Sequence, residues 1–177
     1  MVHEQLWAPW RLEYILGEKG AAASANPAKL LPGADPQCFL CQANDPDEGQ
    51  RRLVVDRGEH TLTVLNRYPY NNGHLLVAPR RHFARLDELG DAVETELARK
   101  ITQMTGVLER TLNPQGFNIG LNLGRAAGAG LPGHLHWHIV PRWIGDTNFM
   151  PTIAGVHTIP QSLEALWELL MAELQRT

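Results

Sequence analysis

His134, His136 and His138 alternate with Leu135 and Trp137 in the run Gly133-His134-Leu135-His136-Trp137-His138-Ile139-Val140-Pro141-Arg142. On an extended strand, side chains at i, i+2 and i+4 share one face at intervals of roughly 7 Å, so the three imidazoles line up while Leu135, Trp137 and Ile139 turn to a core. A neutral imidazole can attack phosphorus directly, giving a phosphoramidate that divides one displacement into two. Its neighbours can fix its tautomer and donate hydrogen bonds to the phosphate. Histidines at i and i+2 of a strand are also common metal ligands, and the run by itself leaves both chemistries open. The bland alternative is a partly exposed strand face, against which three histidines in strict alternation count.

Upstream, Asn122-Leu123-Gly124-Arg125-Ala126-Ala127-Gly128-Ala129-Gly130 offers backbone N–H groups with little side-chain obstruction, the material of an anion-binding nest. Its spacing matches neither a Walker A loop nor a dinucleotide fingerprint. The two cysteines, Cys38 and Cys41, are spaced C-x-x-C, which in a reducing compartment suggests a metal site or a redox pair before a structural disulfide. Sixteen Lys and Arg against nineteen Asp and Glu leave a net charge of −3, so there is no basic field for sequence-independent nucleic-acid binding. No apolar run approaches the roughly 18 to 20 residues of a membrane span, and Met1-Val2-His3-Glu4 lacks the basic start and apolar stretch of a signal peptide. A cytoplasmic protein with no membrane partner is expected.

The elements that must carry these groups are legible in the hydrophobic pattern. Leu62, Val64 and Asn66 alternate, and His74-Leu75-Leu76-Val77-Ala78 is a short apolar run, predicting strands at about 52–57, 60–67 and 73–79. Pro69, Asn71, Asn72 and Gly73 supply the turn between the second and third. Leu89, Val93, Leu97, Ile101, Met104, Leu108 and Leu112 step by three or four, predicting one long helix from about Leu86 that Asn113-Pro114 stops. Two more strands are expected at about Phe117–Leu123 and Leu135–Trp143, then a C-terminal helix marked by Leu163, Leu166, Trp167, Leu170 and Leu174. Strands in near succession around one long helix argue for an antiparallel α+β domain rather than a parallel sheet. The chain, at 177 residues, suits one such domain over 37–177, preceded by a Gly-, Ala- and Pro-rich loop over 17–36. The aromatic segment 1–16, with Trp7 and Trp10, is expected to dock on the domain or on a partner subunit.

The triad followed by Ile139-Val140-Pro141-Arg142, with Asn122-x-Gly124 beginning twelve residues before His134, resembles the histidine-triad (HIT) superfamily of nucleotide hydrolases and transferases. Asn66-Arg67-Tyr68-Pro69 and the run Gly73 to His82 are similar to the N-terminal half of that family. Leu6-Trp7-Ala8-Pro9-Trp10-Arg11 and Trp143-x-Gly145-Asp146-x-Asn148-Phe149 resemble a bacterial branch that includes diadenosine tetraphosphate phosphorylases. The resemblance implies a HIT-like half-barrel of about five antiparallel strands with one long helix, usually paired as a homodimer. It implies His136 as the nucleophile on an α-phosphorus and His138 as a hydrogen-bonding partner of the phosphate or leaving group. It further implies Asn122 at the α-phosphate, Asn66 at the ribose and His74 behind the triad. A narrower resemblance implies structural zinc on Cys38, Cys41, His82 and His134, a closed Cys2His2 set.

The expected activity is cleavage of a nucleoside 5′-polyphosphate, for instance a diadenosine polyphosphate, through a nucleotidyl-His136 intermediate. Asn122, backbone N–H groups between Gly124 and Gly130, His138 and Arg142 are the candidates for stabilising the transferring phosphate. Gly130 stands where several family members carry Ser, so water and inorganic phosphate both remain as acceptors. Two rivals predict different behaviour. A nucleotide-binding regulatory protein would bind adenosine nucleotides with little turnover, and a metalloenzyme holding a catalytic metal on all three triad histidines would lose activity on chelation.

Overall fold

The computed structural model describes residues 28–146 and 159–176. The expected docking segment 1–16, most of the expected 17–36 loop, the Asn148-Phe149 pair, His3 and His157 lie outside the described residues. Val54–Arg57 (β1), Thr61–Leu65 (β2), Leu75–Pro79 (β3), Gly116–Leu121 (β4) and Trp137–Arg142 (β5) form one antiparallel sheet in the order β1-β2-β3-β5-β4. A single-turn helix Phe39–Gln42 (α1) precedes the sheet, the long helix Asp91–Leu112 (α2) joins β3 to β4, and Leu163–Leu174 (α3) closes the chain. This is the antiparallel α+β architecture that the hydrophobic pattern predicts.

The middle of the sheet is covered on both faces, which is why β2 and β3 are buried along their whole length. Successive residues of a strand point to opposite faces. Leu75 and Val77 therefore join the core under the helices, with Leu97, Met104, Leu108, Ile139, Leu166 and Leu170. Leu76 and Ala78 join a second core with Leu62, Val64, Leu40, Cys38 and Cys41. The cysteine knuckle is thus the lid of one face and the helices are the lid of the other. Paired residues of an antiparallel ladder share a face. Trp137, opposite Val77, and Ile139, opposite Leu75, look toward the helices, while His138, opposite Leu76, looks to the knuckle side.

The long helix buries Leu97, Met104, Val107 and Leu108, with Val93, Ile101 and Leu112 partly buried beside them. It ends where Asn113 takes a left-handed conformation and returns its N–H to Glu109 O, just before Pro114. It starts five residues later than the Leu86 expected from periodicity. The Glu88 carboxylate accepts the N–H groups of Ala84 and Arg85, closing a separate 3-10 turn over Leu86–Glu88, and Leu89 is extended. The Ser162 hydroxyl accepts Ala165 N–H at the start of α3, and Trp167 Nε1 donates to Val54 O, tying α3 to β1.

The triad segment also differs from expectation, since β5 begins at Trp137 and only His138 of the three lies within it. The β3 ladder ends at Val77 opposite Trp137, and Leu135 N–H donates instead to Phe83 O at 2.7 Å. The chain from His134 to His136 is drawn off the ladder toward the knuckle. Even so, Leu135 and Ile139 are buried as the alternation requires.

Gly73 makes the turn into β3 at φ +78°, and a Cβ there would lie 2.6 Å from Leu112 Cδ1 and 3.1 Å from Pro141 Cγ. Gly73→Ala is expected to lower stability by about 1–3 kcal/mol through both strain and crowding. Gly90→Ala, with nothing within 4 Å, should stay within about 1 kcal/mol of the parent. Urea denaturation of both variants measures the difference.

Candidate active site and metal cluster

His136 is nearly buried, and its Nδ1 lies 2.8 Å from the carbonyl oxygen of His134. A carbonyl can only accept, so Nδ1 carries a proton, and in the neutral ring Nε2 keeps its lone pair. That leaves Nε2 as an unprotonated nitrogen able to act as a nucleophile.

The partners of His74 order a second set of protons. Its Nδ1 receives the N–H of Tyr70 at 3.1 Å and faces the Asn66 amide nitrogen at 3.2 Å, so Nδ1 is an acceptor. Nε2 of His74 is then the protonated nitrogen and donates to Nδ1 of His138 at 2.9 Å. It follows that the His138 proton sits on Nε2. That nitrogen is buried and has no hydrogen-bond partner among the described residues. A buried donor without an acceptor is costly, and an incoming oxygen would satisfy it. The rings of His136 and His138 are edge to face with centroids 5.1 Å apart, so the lone pair and the unpaired donor belong to neighbouring rings.

Burial, then the neighbouring imidazoles of His138 and His136, lowers the His74 pKa to about 3. Burial and then His136 lower that of His138 to about 4. Both rings are therefore neutral near pH 7, the form that the proton ordering requires.

The other expected site residues separate into those that reach this pair and those that do not. The β4–β5 register ends with Gly120 opposite His138 and Leu121 opposite Trp137, and Asn122 is the first residue past the end of β4, as His136 is the residue before the start of β5. Asn66 accepts Tyr68 N–H at Oδ1 and presents its amide nitrogen to His74, so its side chain is engaged in the turn behind His138. Gly124 and Gly128 adopt φ of +82° and +89°, which glycine takes without strain. The N–H groups of Ala127, Gly128 and Ala129 are already bonded within that loop, and Gly130 follows them exposed to solvent. Arg142 sits four residues beyond His138, about 13 Å along an extended strand. Its guanidinium is held by both Asp146 oxygens, at 2.6 and 2.8 Å, and by Asn118 Oδ1 at 2.7 Å. The structure does not bring it to the triad.

On the same side of the sheet, Cys38, Cys41, His82 and His134 bring one ligand atom each to within 4.8 Å of one another. Cys38 Sγ is 3.2 Å from His134 Nδ1, Cys41 Sγ is 3.2 Å from His82 Nδ1, and Cys41 Sγ is 3.6 Å from His134 Nδ1. Nε2 of His134 donates to Pro79 O at 2.8 Å, turning Nδ1 toward the sulfurs as a ligand nitrogen. These four residues could hold a metal ion. Burial, and then Cys41, pushes the Cys38 thiol up to about 12, so both a proton and a metal would compete for that sulfur.

Several groups at this site carry no sequence signature. Arg57 donates to the carbonyls of Ala43 and Asp45, and Arg80 Nε donates to Asn44 Oδ1, clamping the knuckle to β1 and to the end of β3. Tyr70 reaches His74 through its backbone. The Tyr68-Pro69-Tyr70-Asn71-Asn72-Gly73 turn chemistry was the available signal for that contact, though nothing in it names the acceptor.

Residues 48–143 match the family model described as HIT domain. The chain is 41% identical to the AP-4-A phosphorylase of Mycobacterium tuberculosis over 98% of this chain and 85% of that protein. Among solved structures it is similar to a zinc-bound histidine triad family protein from Mycobacterium smegmatis, 25% identical, covering 71% of this chain and 85% of that one at a TM-score of 0.58. It is also similar to a hypothetical histidine triad nucleotide-binding protein from Sulfolobus tokodaii, 25% identical over 78% of this chain and 93% of that one, with a TM-score of 0.61.

The neutral histidines set a pH dependence of stability. Unfolded, His74 and His138 titrate near 6.5; folded, they resist protonation until about 3 and 4. Below pH 6.5 the unfolded chain binds protons that the folded chain excludes, so their contribution is retained above that pH and lost as pH falls toward 4. Urea midpoints measured from pH 7 to pH 4 should decline, and His74→Gln should remove about 1.4 kcal/mol per pH unit from the slope.

Proposed function

This chain belongs to the HIT domain family, and on that premise we propose that it is an enzyme that transfers a nucleotidyl group from a nucleoside 5′-polyphosphate through His136. The observation that carries the reading is the pairing of two proton assignments: a lone pair on His136 Nε2 and an unpartnered N–H on His138 Nε2. In the first step His136 Nε2 forms a bond to the α-phosphorus as the bond to the departing polyphosphate oxygen breaks. The His138 N–H hydrogen-bonds the phosphate or the departing oxygen, and Asn122, just past the end of β4, contacts a non-bridging oxygen. In the second step the oxygen of water or inorganic phosphate bonds to phosphorus as the P–N bond breaks, returning the electron pair to Nε2 and the ring to its neutral form, and any proton on the attacking oxygen is lost to solvent.

The phosphorylase name of the Mycobacterium tuberculosis relative supports a diadenosine polyphosphate as substrate and inorganic phosphate as acceptor. With diadenosine tetraphosphate, water gives AMP and ATP, whereas phosphate gives ADP and ATP. The backbone of Gly124 and Gly130 contributes to the phosphate-binding loop in this reading. His74 acts from behind His138, and Asn66, whose amide already meets His74, is placed beside the ribose. Arg142 acts at most on a distal phosphate, given its distance along β5.

The metal in the knuckle is zinc in this reading. Zinc distances of about 2.3 Å to sulfur and 2.0–2.1 Å to nitrogen make a tetrahedron with S–N edges of about 3.6 Å. The S–N separations of 3.2, 3.2 and 3.6 Å are close to that size. Bound there, zinc supplies a structural tie between knuckle, His82 and His134, since four protein ligands leave no open position for substrate.

Edge strand β4 exposes Asn118, Ile119 and Gly120, which supports pairing of two copies into a homodimer. No helix among the described residues is long and apolar enough to cross a membrane. A cytoplasmic setting accords with the proposed nucleotide substrate and reduced thiols.

His136→Asn is expected to lower kcat by at least about 1,000-fold while AMP still binds, as measured by steady-state kinetics and calorimetry. Chromatography of products formed with and without inorganic phosphate assigns the acceptor: ADP appearing only with phosphate is the expected result. Native mass spectrometry should find one zinc per chain, lost in Cys38→Ser together with several degrees of Tm.

A further inference from the structure

We propose that Tyr70 is a positioning residue: its main-chain N–H and its ring together hold His74 and His138 as neutral Nε2–H tautomers, so that the His138 proton faces the reacting phosphate. The orientation toward phosphate rests on the proposed function; the control of the two imidazoles does not. Tyr70 has three separate contacts with this pair. Its N–H meets His74 Nδ1 at 3.1 Å. Its ring lies 4.6 Å from the His74 ring, tilted by 44°. The same ring stacks on His138 at 5.6 Å with 19° between planes.

The N–H contact decides a tautomer two residues removed in the hydrogen-bond chain. With Tyr70 N–H pointing at Nδ1 of His74, a proton on that nitrogen would set two donors against each other. His74 therefore donates from Nε2, and His138 must accept at Nδ1 and carry its proton on Nε2. Asn66 adds a second donor to the same His74 nitrogen.

The ring accounts for the absence of charge. The titratable groups facing His138 are His74, His136 and Tyr70, and those facing His74 are His138, His136 and Tyr70. Across the ladders, His138 is flanked by Leu76 and Gly120, neither of which can carry charge. Burial, the first cause holding both imidazoles neutral, depends on what covers them from outside the sheet. Tyr70 is itself 56% exposed, so its ring stands between solvent and the two imidazoles. The exposed aromatic ring here lies against both imidazoles, with the buried His138 donor beneath it.

The test reads the His138 ring directly. The full chain is labelled at histidine, the His138 signals are assigned by their loss in His138→Asn, and the ring is titrated by NMR without substrate. The parent His138 should remain the neutral Nε2–H tautomer until about pH 4. Tyr70→Ala should raise its midpoint by at least about one pH unit, because water then reaches the imidazole edge, while the Nε2–H tautomer of the neutral ring is kept by the main-chain N–H that the variant retains. Tyr70→Phe, which keeps the ring, should follow the parent titration. Tyr70→Leu replaces the alanine variant if that one does not fold, with a shift in the same direction expected. A Tyr70→Ala or Tyr70→Leu titration superimposable on the parent overturns the proposal. Because no turnover is involved, a protein inactive on every nucleotide tried would count against the enzymatic reading while leaving this result to stand or fall separately.

Discussion

The hydrogen bond from Nδ1 of His136 to the carbonyl of His134, 2.8 Å long, ties the reactive nitrogen to the backbone of its own neighbour. It works only if that carbonyl is held still. His134 is fixed on both sides of its ring, by Pro79 O at Nε2 and by the sulfur of Cys38 near Nδ1. The cysteine knuckle therefore orients His136 without touching it. The knuckle in turn is clamped to the sheet by Arg57 and Arg80, so the lone pair on His136 depends on contacts that extend back to β1. Orientation of a reacting group by such surrounding contacts is how a fold converts a common side chain into a chemical tool.

The two-sided sheet sets the core on one face and the histidines with the cysteine knuckle on the other. One face of β3 and β5 is given to Leu75, Val77 and Ile139 under the helices, and this core supports the strands. The opposite face carries His138 directly across from Leu76, and the knuckle packs against Leu76 and Ala78 on that same face. Where β5 would have continued toward Leu135, the chain leaves the ladder and hands His134 to the knuckle. The triad is thus divided between the cluster that could hold a metal and the proposed reacting pair, with His136 at the division.

Much of this was legible in the residues. The period of Leu97, Met104 and Leu108 identified the long helix, and the alternation through Ile139 identified the strand, because burial on one face leaves a repeat in the sequence. Cys38, Cys41, His82 and His134 were grouped through a family resemblance, and the structure brings the four together. The departure of His134 to His136 from the strand was not legible, since it is decided by Phe83 O, a backbone atom that any residue supplies. Glu88 likewise ended a turn before α2 by a side-chain contact that periodicity does not register. Arg142 looked available for phosphate because its type suits one, while its pairing with Asp146 and Asn118 depends on a bend after β5. Tyr70 acts through its main chain and an exposed ring, neither of which contributes to a hydrophobic repeat.

The proposed reaction requires a covalent bond between His136 and the transferred nucleotide. It is tested most directly by mixing the protein with diadenosine tetraphosphate, quenching within milliseconds, and measuring the mass of the peptide that contains His136. The expected result is an acid-labile adduct of one adenylyl group on that peptide, formed and consumed at rates compatible with turnover. Full turnover with no adduct on His136, or with the adenylyl group on another residue, would contradict it.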